Sequence, residues 1–214
     1  MLSFLVFFVL ASASPDSPAQ AGGTPGDFDY YVLALSWSPT YCKQAGRNAD
    51  PLQCRAAKPH RFIVHGLWPQ YENGWPDYCN SRERRPGQHT VSSLLDIMPS
   101  RDLIAHQWKK HGVCSGLSGD DYLDKIRDAY DKVKIPAAFQ SLNRTGSIGP
   151  DGVEQAFRLS NPNLRDTAMA VTCKKGALKE VRICMTKDLK FRSCKAVDRS
   201  GCRAKKISVS PPIR

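Results

Sequence analysis

Three of the five histidines stand in two short segments, His65 in FIVHGLWP (62–69) and His106 with His111 in HQWKKHGVC (106–114). Imidazoles titrate near neutrality, so one ring of a pair can be neutral while the other carries a proton. Cleavage of RNA by internal transfer needs such a pair. One group takes the proton of the 2′-OH and the other gives a proton to the leaving 5′-oxygen. Charge growing on the phosphorane oxygens needs donors or a cation nearby, and Lys110, His106 and the amide of Gln107 are the candidates. The nucleophile belongs to the substrate, so neither an activated serine or cysteine nor a metal is required. A metal site fits less well. His106 and His111 are five residues apart, roughly 140° round a helix, whereas two histidine ligands on one helix prefer a spacing of four. Cys114 could be a third ligand, but in a chain rich in cysteine it reads as a disulfide partner. The plainer alternatives are histidines that only cap strands and helices, or a basic patch. His60 and His89 lie in bland surroundings and read as surface residues.

The two segments must be brought together by the elements that carry them. FDYYVLALSW (28–37) alternates aromatic and branched residues and reads as a strand stopped by SPTYC, with Trp37 in the core or its wall. Residues 43–60 read as a loop. HRFIVHGLWP (60–69) begins as a second strand and ends in Gly and Pro turn chemistry. Residues 70–90 make a long polar loop, of a length that is usually functional or stapled. TVSSLLDIMP and SRDLIAHQWKKHG read as helices, the second capped by Ser100 and ending at Gly112. In that helix Gln107 falls beside His111, and His106 beside Lys110. SGDDYLDKIRDAYDKVKI is a third helix, with Tyr122, Ile126, Ala129, Tyr130 and Val133 on one face. GPDG (149–152) reads as a turn. TAMAVTC, LKEVRICM and FRSC are strand-like pieces of an antiparallel group, and the tail is a short strand or coil. NRT (143–145) fits an N-glycosylation acceptor in a eukaryotic secretory pathway.

Composition sets the compartment and the partners. The first residues, MLSFLVFFVLASAS, form an apolar run too short to span a membrane but suited to a secretory signal, although no Lys or Arg precedes it. Cleavage after AQA (19–21) leaves 22–214 as a single domain, and ASA (11–13) is a second candidate. All eight cysteines follow that signal, none in C-x-x-C spacing. They read as four disulfides in an oxidising compartment, periplasmic or extracellular, with connectivity open among 105 pairings. Removing 1–21 takes away Asp16 and leaves 31 basic and 19 acidic residues, a formal +12. Such a charge favours a polyanionic partner, whether nucleic acid or an anionic surface. No later segment is apolar for long enough to cross a membrane.

The two histidine segments, in this order and about forty residues apart, resemble the two signature segments of the ribonuclease T2 family. The family patterns are Phe-x-x-His-Gly-Leu-Trp-Pro and His-Glu-Trp-x-Lys-His-Gly-x-Cys. The resemblance extends to YYVLALSWSPTYC near the start and VTCKKGALKEVRICMTKDLKFRSC near the end, and its wording is closest to bacterial exported members. It implies an α+β fold with a central antiparallel-rich sheet packed with helices on one side, and four disulfides, Cys42–Cys54, Cys79–Cys114, Cys173–Cys202 and Cys184–Cys194. It implies an endonuclease of low base specificity acting on single-stranded RNA through a 2′,3′-cyclic phosphate, and the chain is expected to work as a monomer without metal or cofactor. It makes His65 the general acid, His111 the general base, Lys110 a charge stabiliser and His106 a phosphate contact. Trp68 would stack on a base, and Gln70 would help to read it.

One position departs from the family pattern. Gln107 stands where the family has Glu. An amide cannot supply the charge that would raise the pKa of His111. It can still orient that ring, and its NH2 can donate to a phosphate oxygen. The chain is therefore expected to be an enzyme with a changed pH dependence or rate. The alternative is a catalytically weakened, secreted, basic RNA-binding protein.

Overall fold

The computed structural model describes residues 20–212, so the expected signal lies outside the described residues except for its last two positions. In chain order the elements are β1 (Gln20–Ala21), β2 (Tyr30–Trp37), α1 (Ser38–Ala45), α2 (Pro51–Cys54), β3 (Phe62–Gln70), β4 (Pro76–Asp77), α3 (Gln88–Ser93) and α4 (Arg101–Lys110). They continue as α5 (Gly119–Asp131), α6 (Ala137–Gln140), β5 (Gly146–Ile148), α7 (Pro150–Ser160), β6 (Met169–Lys174), β7 (Ala177–Met185), α8 (Lys195–Arg199) and β8 (Ile207–Val209). The two-residue strands β1 and β4 pair with each other in parallel. The main sheet runs β3-β2-β7-β8-β5, with β6 paired to the other side of β7. Every pairing in it is antiparallel except the single contact of β7 with β8. The fold is thus α+β, with an antiparallel-rich sheet packed against helices.

Alternation along β2 divides the sheet into two faces. Tyr31, Leu33, Leu35 and Trp37 enter the main core, where they meet Ile104 and Trp108 of α4, Leu123 and Ile126 of α5, and Phe157 of α7. Tyr30 and Val32 point the other way, into a smaller cluster with Cys184, Cys194 and Val197 of α8. Helices therefore cover parts of both faces, not one side alone as expected, because Tyr30 and Val32 give the second face an apolar patch that α8 covers. On the core side Phe62 meets Trp37, Phe139 and Phe157 edge-on, with centroids 4.8 Å apart for Trp37–Phe62 and 5.5 Å for Phe62–Phe157, an arrangement that the ring quadrupoles favour.

Strand β3 departs from simple alternation at the residue that matters. Ala34 pairs with Gly66 but Leu35 pairs with Val64, which leaves His65 as the extra residue of a β-bulge. A bulge shifts the phase of the alternation by one residue. Phe62 and Val64 before it and Leu67 after it all reach the core, while His65, Gly66 and Trp68 are left on the opposite side.

The structure corrects several expected boundaries. SPTYC ends β2 at Trp37 as expected but also begins α1, and part of the expected loop at 43–60 forms α2. Each helix has Pro in its first turn, where a missing N–H costs nothing, and the Asp50 carboxylate accepts from Leu52 N at 2.8 Å to cap α2. Strand β3 runs through Gly66 and Pro69 instead of turning there. It is the edge strand of the sheet, where proline is tolerated. TVSSLLDIMP is helical only up to Ser93 and continues as turns. GPDG opens α7, with Pro150 and Asp151 in its first turn, both favourable at a helix N-terminus. FRSC makes a single bridge, Phe191 to Met185, before α8. Among the described residues no helix is long and apolar enough to cross a membrane.

Candidate active site

Helix α4 and strand β3 carry the two histidine segments and lie against each other. Ser100 caps α4 by accepting from Leu103 N at 3.2 Å. Buried Ile104 and Trp108 anchor one flank of the helix in the core, which fixes which way His106, Gln107 and Lys110 point. The helix ends at Lys110, so His111 is its C-cap. Gly112 follows because space there is full: a Cβ would run into Trp108 and lie 2.8 Å from Tyr122. The end of the helix is also tied down from outside. Tyr78 N donates to Lys110 O at 2.8 Å, and Cys79 is bonded to Cys114. The loop after β3 is thereby fixed to the histidine-bearing end of α4. The other disulfides are Cys42–Cys54, Cys173–Cys202 and Cys184–Cys194, and no described cysteine is free.

One cavity of about 370 Å³ gathers His65, Trp68, Gln70, His106, Gln107, Lys110 and His111, with Trp75 and Arg182. All seven residues singled out in the two segments and just beyond them therefore share one site. His60 and His89 take no part; His60 is half-buried and His89 is exposed on α3. Trp68 stands between the two candidate proton carriers, its ring centroid 5.4 Å from that of His65 and 5.5 Å from that of His111. His65 also lines a second cavity of about 320 Å³ with Tyr41, Gln44, Lys174 and Lys179, so it stands at the junction of two hollows with basic side chains.

Gln107 is buried, and its Oε1 accepts from Trp68 Nε1 at 2.7 Å. An indole N–H can only donate, so the amide carbonyl must face it and the NH2 is turned elsewhere. Gly66 lies beneath this bond, and a Cβ there would collide with Gln107 Oε1 and Trp68 Nε1. The expectation that Gln107 orients the His111 ring is not met. His111 Nδ1 is buried without a hydrogen-bond partner among the described residues, and the amide holds Trp68 instead.

The two rings differ in their surroundings. His111 is 7 % exposed. Burial, followed by the charges of Lys110, His65 and His106, lowers its pKa to about 3, so the ring is neutral at pH 7. The pKa of His106 is lowered by partial burial and then by Lys110, His65 and Lys109. His65 is one-third exposed, and its Nδ1 is 2.7 Å from Glu180 Oε1. Glu180 is 1 % exposed. Burial alone would raise its pKa, but the hydrogen bond with His65 and the charges of His65, Arg182 and Lys179 outweigh that and hold it at about 2. Arg182 donates from Nε and Nη2 to Glu180 Oε2 at 3.2 and 3.0 Å, and its guanidinium lies 5.3 Å over Trp68.

Glu180, Arg182 and Trp75 were missed by sequence reasoning. A carboxylate inside the strand-like LKEVRICM, flanked by Lys179 and Arg182, was the available signal. Among the described residues no group of three or more His, Cys, Asp or Glu is placed to hold a metal ion.

Residues 28–194 match the family model described as Ribonuclease T2 family. A ribonuclease of Aeromonas hydrophila is 36 % identical over 176 residues, covering 80 % of this chain and 78 % of its own length. A probable ribonuclease of Haemophilus influenzae is 29 % identical over 180 residues, covering 78 % of this chain and 61 % of its own length. Among solved structures, an RNase-related protein from Calystegia sepium superposes with a TM-score of 0.70 at 23 % identity, covering 87 % of this chain and 98 % of that one. At that identity the likeness is one of fold.

Proposed function

The chain belongs to the ribonuclease T2 family and is an RNA endonuclease, and from that premise we propose a mechanism, an acid, a base and a substrate path. The substrate is single-stranded RNA, cut by metal-independent transfer to a 2′,3′-cyclic phosphate. His111 takes the proton of the 2′-OH, whose oxygen then attacks phosphorus. The bond from phosphorus to the 5′-oxygen breaks as His65 Nε2 gives that oxygen a proton. Products are a 2′,3′-cyclic phosphate end and a 5′-hydroxyl end. Lys110, His106 and the Gln107 NH2 face the charge on the non-bridging oxygens, where preorganised donors are worth most.

The observation that carries the assignment is the contrast between the two rings across Trp68. The buried His111 is neutral at pH 7, the state a base needs. His65 instead has an ionised carboxylate at Nδ1, a counter-charge for the protonated ring that an acid needs. Because His65 lines both cavities, a strand crossing it places a phosphate between them. Trp68 and Trp75 offer faces to one base. Stacking tolerates every base, which supports low base specificity, with Gln70 at the rim.

Export fits the same reading, since disulfides persist in oxidising compartments and no described cysteine is free. We take the mature protein to be a periplasmic or secreted monomer, with residues 1–21 removed as a signal.

His65→Ala and His111→Ala test the reading. Each is expected to reduce turnover by at least on the order of 10²-fold, the usual contribution of a general acid or base, while RNA binding measured with an uncleavable 2′-deoxy strand stays within a few-fold. Turnover indifferent to both changes would leave only the secreted RNA-binding protein.

A further inference from the structure

Glu180 lies 115 residues from His65 in sequence, outside both histidine segments. Its place in the fold is nonetheless well defined. In the sheet register Ser36 pairs with both Ile63 and Glu180, and Ala34 pairs with both Gly66 and Arg182. Glu180 and Arg182 therefore occupy the face of the sheet on which Gly66 and Trp68 lie, one strand beyond the small side chains of Ser36 and Ala34. The bulge brings His65 to the same face, within reach of the carboxylate.

Isolated buried carboxylates are costly to desolvate, and they persist when paired and hydrogen-bonded. Here the pairing is divided between two jobs. Oε1 meets His65 Nδ1 and lies 3.5 Å from Lys179 Nζ, and Oε2 accepts from Nε and Nη2 of Arg182, whose guanidinium covers Trp68. Trp68 in turn donates to Gln107. One carboxylate thus joins a histidine and the tryptophan platform from beneath.

We infer that Glu180 is the positioning residue of the transfer reaction, fixing His65 with Nδ1–H toward its carboxylate so that Nε2 faces the 5′-oxygen, and holding Arg182 against Trp68. A carboxylate can only accept here, so the proton between the two groups sits on Nδ1. The other ring nitrogen is left for the substrate. This chain has no carboxylate at position 107 beside the base. Its carboxylate–histidine pair is instead built on the acid, from a different strand.

The inference rests on His65 being the acid, and the test separates the two claims. Two substrates are compared, uridylyl-3′,5′-uridine and uridine 3′-(4-nitrophenyl phosphate), whose nitrophenolate leaves without needing a proton. Glu180→Gln should lower kcat on the dinucleotide by on the order of 10²-fold, the scale of a misplaced general acid. On the nitrophenyl ester kcat should stay near the wild-type value, with the loosened Arg182–Trp68 contact read in KM of both substrates, and in a His65→Ala background kcat should fall no further. Equal loss on both substrates, or a full additional loss in that background, would overturn the positioning role while the acid stands, provided that His65→Ala alone spares the ester. If His65→Ala slows both substrates equally, the assignment of the acid fails and takes this inference with it. Should Glu180→Gln not fold, 15N-edited imidazole spectra of the wild type decide the matter. A proton on Nδ1 of His65 is expected, and its absence would overturn the inference.

Discussion

At the scale of single residues, Gln107 is where this chain parts from its family pattern, and its structural partner is Trp68. The amide keeps the indole in place but gives His111 no charge, so the base sits at about 3 under burial and its cationic neighbours. The acid limb of kcat/KM, which reports groups of the free enzyme, should therefore fall below pH 5. In Gln107→Glu a carboxylate can still accept from the indole, and its charge favours protonated His111. The acid limb should then move up by about one unit or more, and kcat at pH 7 should rise as the base strengthens. An unmoved pH profile would show that the carboxylate does not act on His111. The residues of this site that could be read in sequence are those with a local signature: His65, His106, Lys110 and His111 by type and spacing, and Trp68 by its motif. Glu180 had none, because only the sheet register connects it to His65.

At the scale of elements, the site depends on one bulge and on the bare Cα beside it. Without the extra residue in β3, the strand could not send Phe62, Val64 and Leu67 to the core while leaving His65, Gly66 and Trp68 on the other side. Gly66 and Pro69 both favour a turn, which is what their types predict. The pairing with β2 overrides that preference, and the glycine serves close approach instead. Gly66→Ala tests this reading. Its methyl must displace the Gln107–Trp68 bond, so kcat/KM should fall by about tenfold or more, equivalent to roughly 1.4 kcal/mol, with the circular dichroism of the fold retained. Wild-type kinetics in this variant would mean that the bond does not hold the platform. The helices α1 and α2 have no such cue in the sequence reading, where SPTYC marks only the end of a strand and the polar stretch 43–60 only a loop, although Pro39 and Pro51 each stand in a first helical turn.

At the scale of the whole molecule, the α+β class and the antiparallel sheet were legible from alternation and from family resemblance, whereas the covering of both sheet faces was not. Burying a histidine to make a base has a cost that stability measurements can read. Above pH 6.5 His111 is unprotonated in both the folded and unfolded chains, and it adds no pH dependence to stability. Between 6.5 and about 3 the unfolded chain takes up a proton that the folded one refuses, so stability falls as pH falls through that window. At pH 5 the loss from this group is about 2 kcal/mol. The stabilisation from Glu180 is still intact there, because it is lost only from about 4.5 down to about 2. Urea unfolding at pH 7 and pH 5 should accordingly show a smaller decrease for His111→Asn than for wild type, by about 2 kcal/mol. Identical decreases would mean that His111 titrates normally in the fold. The central claim is transfer by two histidines with the nucleophile supplied by RNA, and it is tested most directly by digesting a short RNA and its 2′-deoxy counterpart in EDTA. Cleavage of the RNA alone, leaving 2′,3′-cyclic phosphate ends, is the predicted result. Cleavage of the deoxy strand would contradict the mechanism, since that strand has no 2′-OH. An inert wild type that gains activity only as Gln107→Glu would contradict the claim that this chain is a working enzyme.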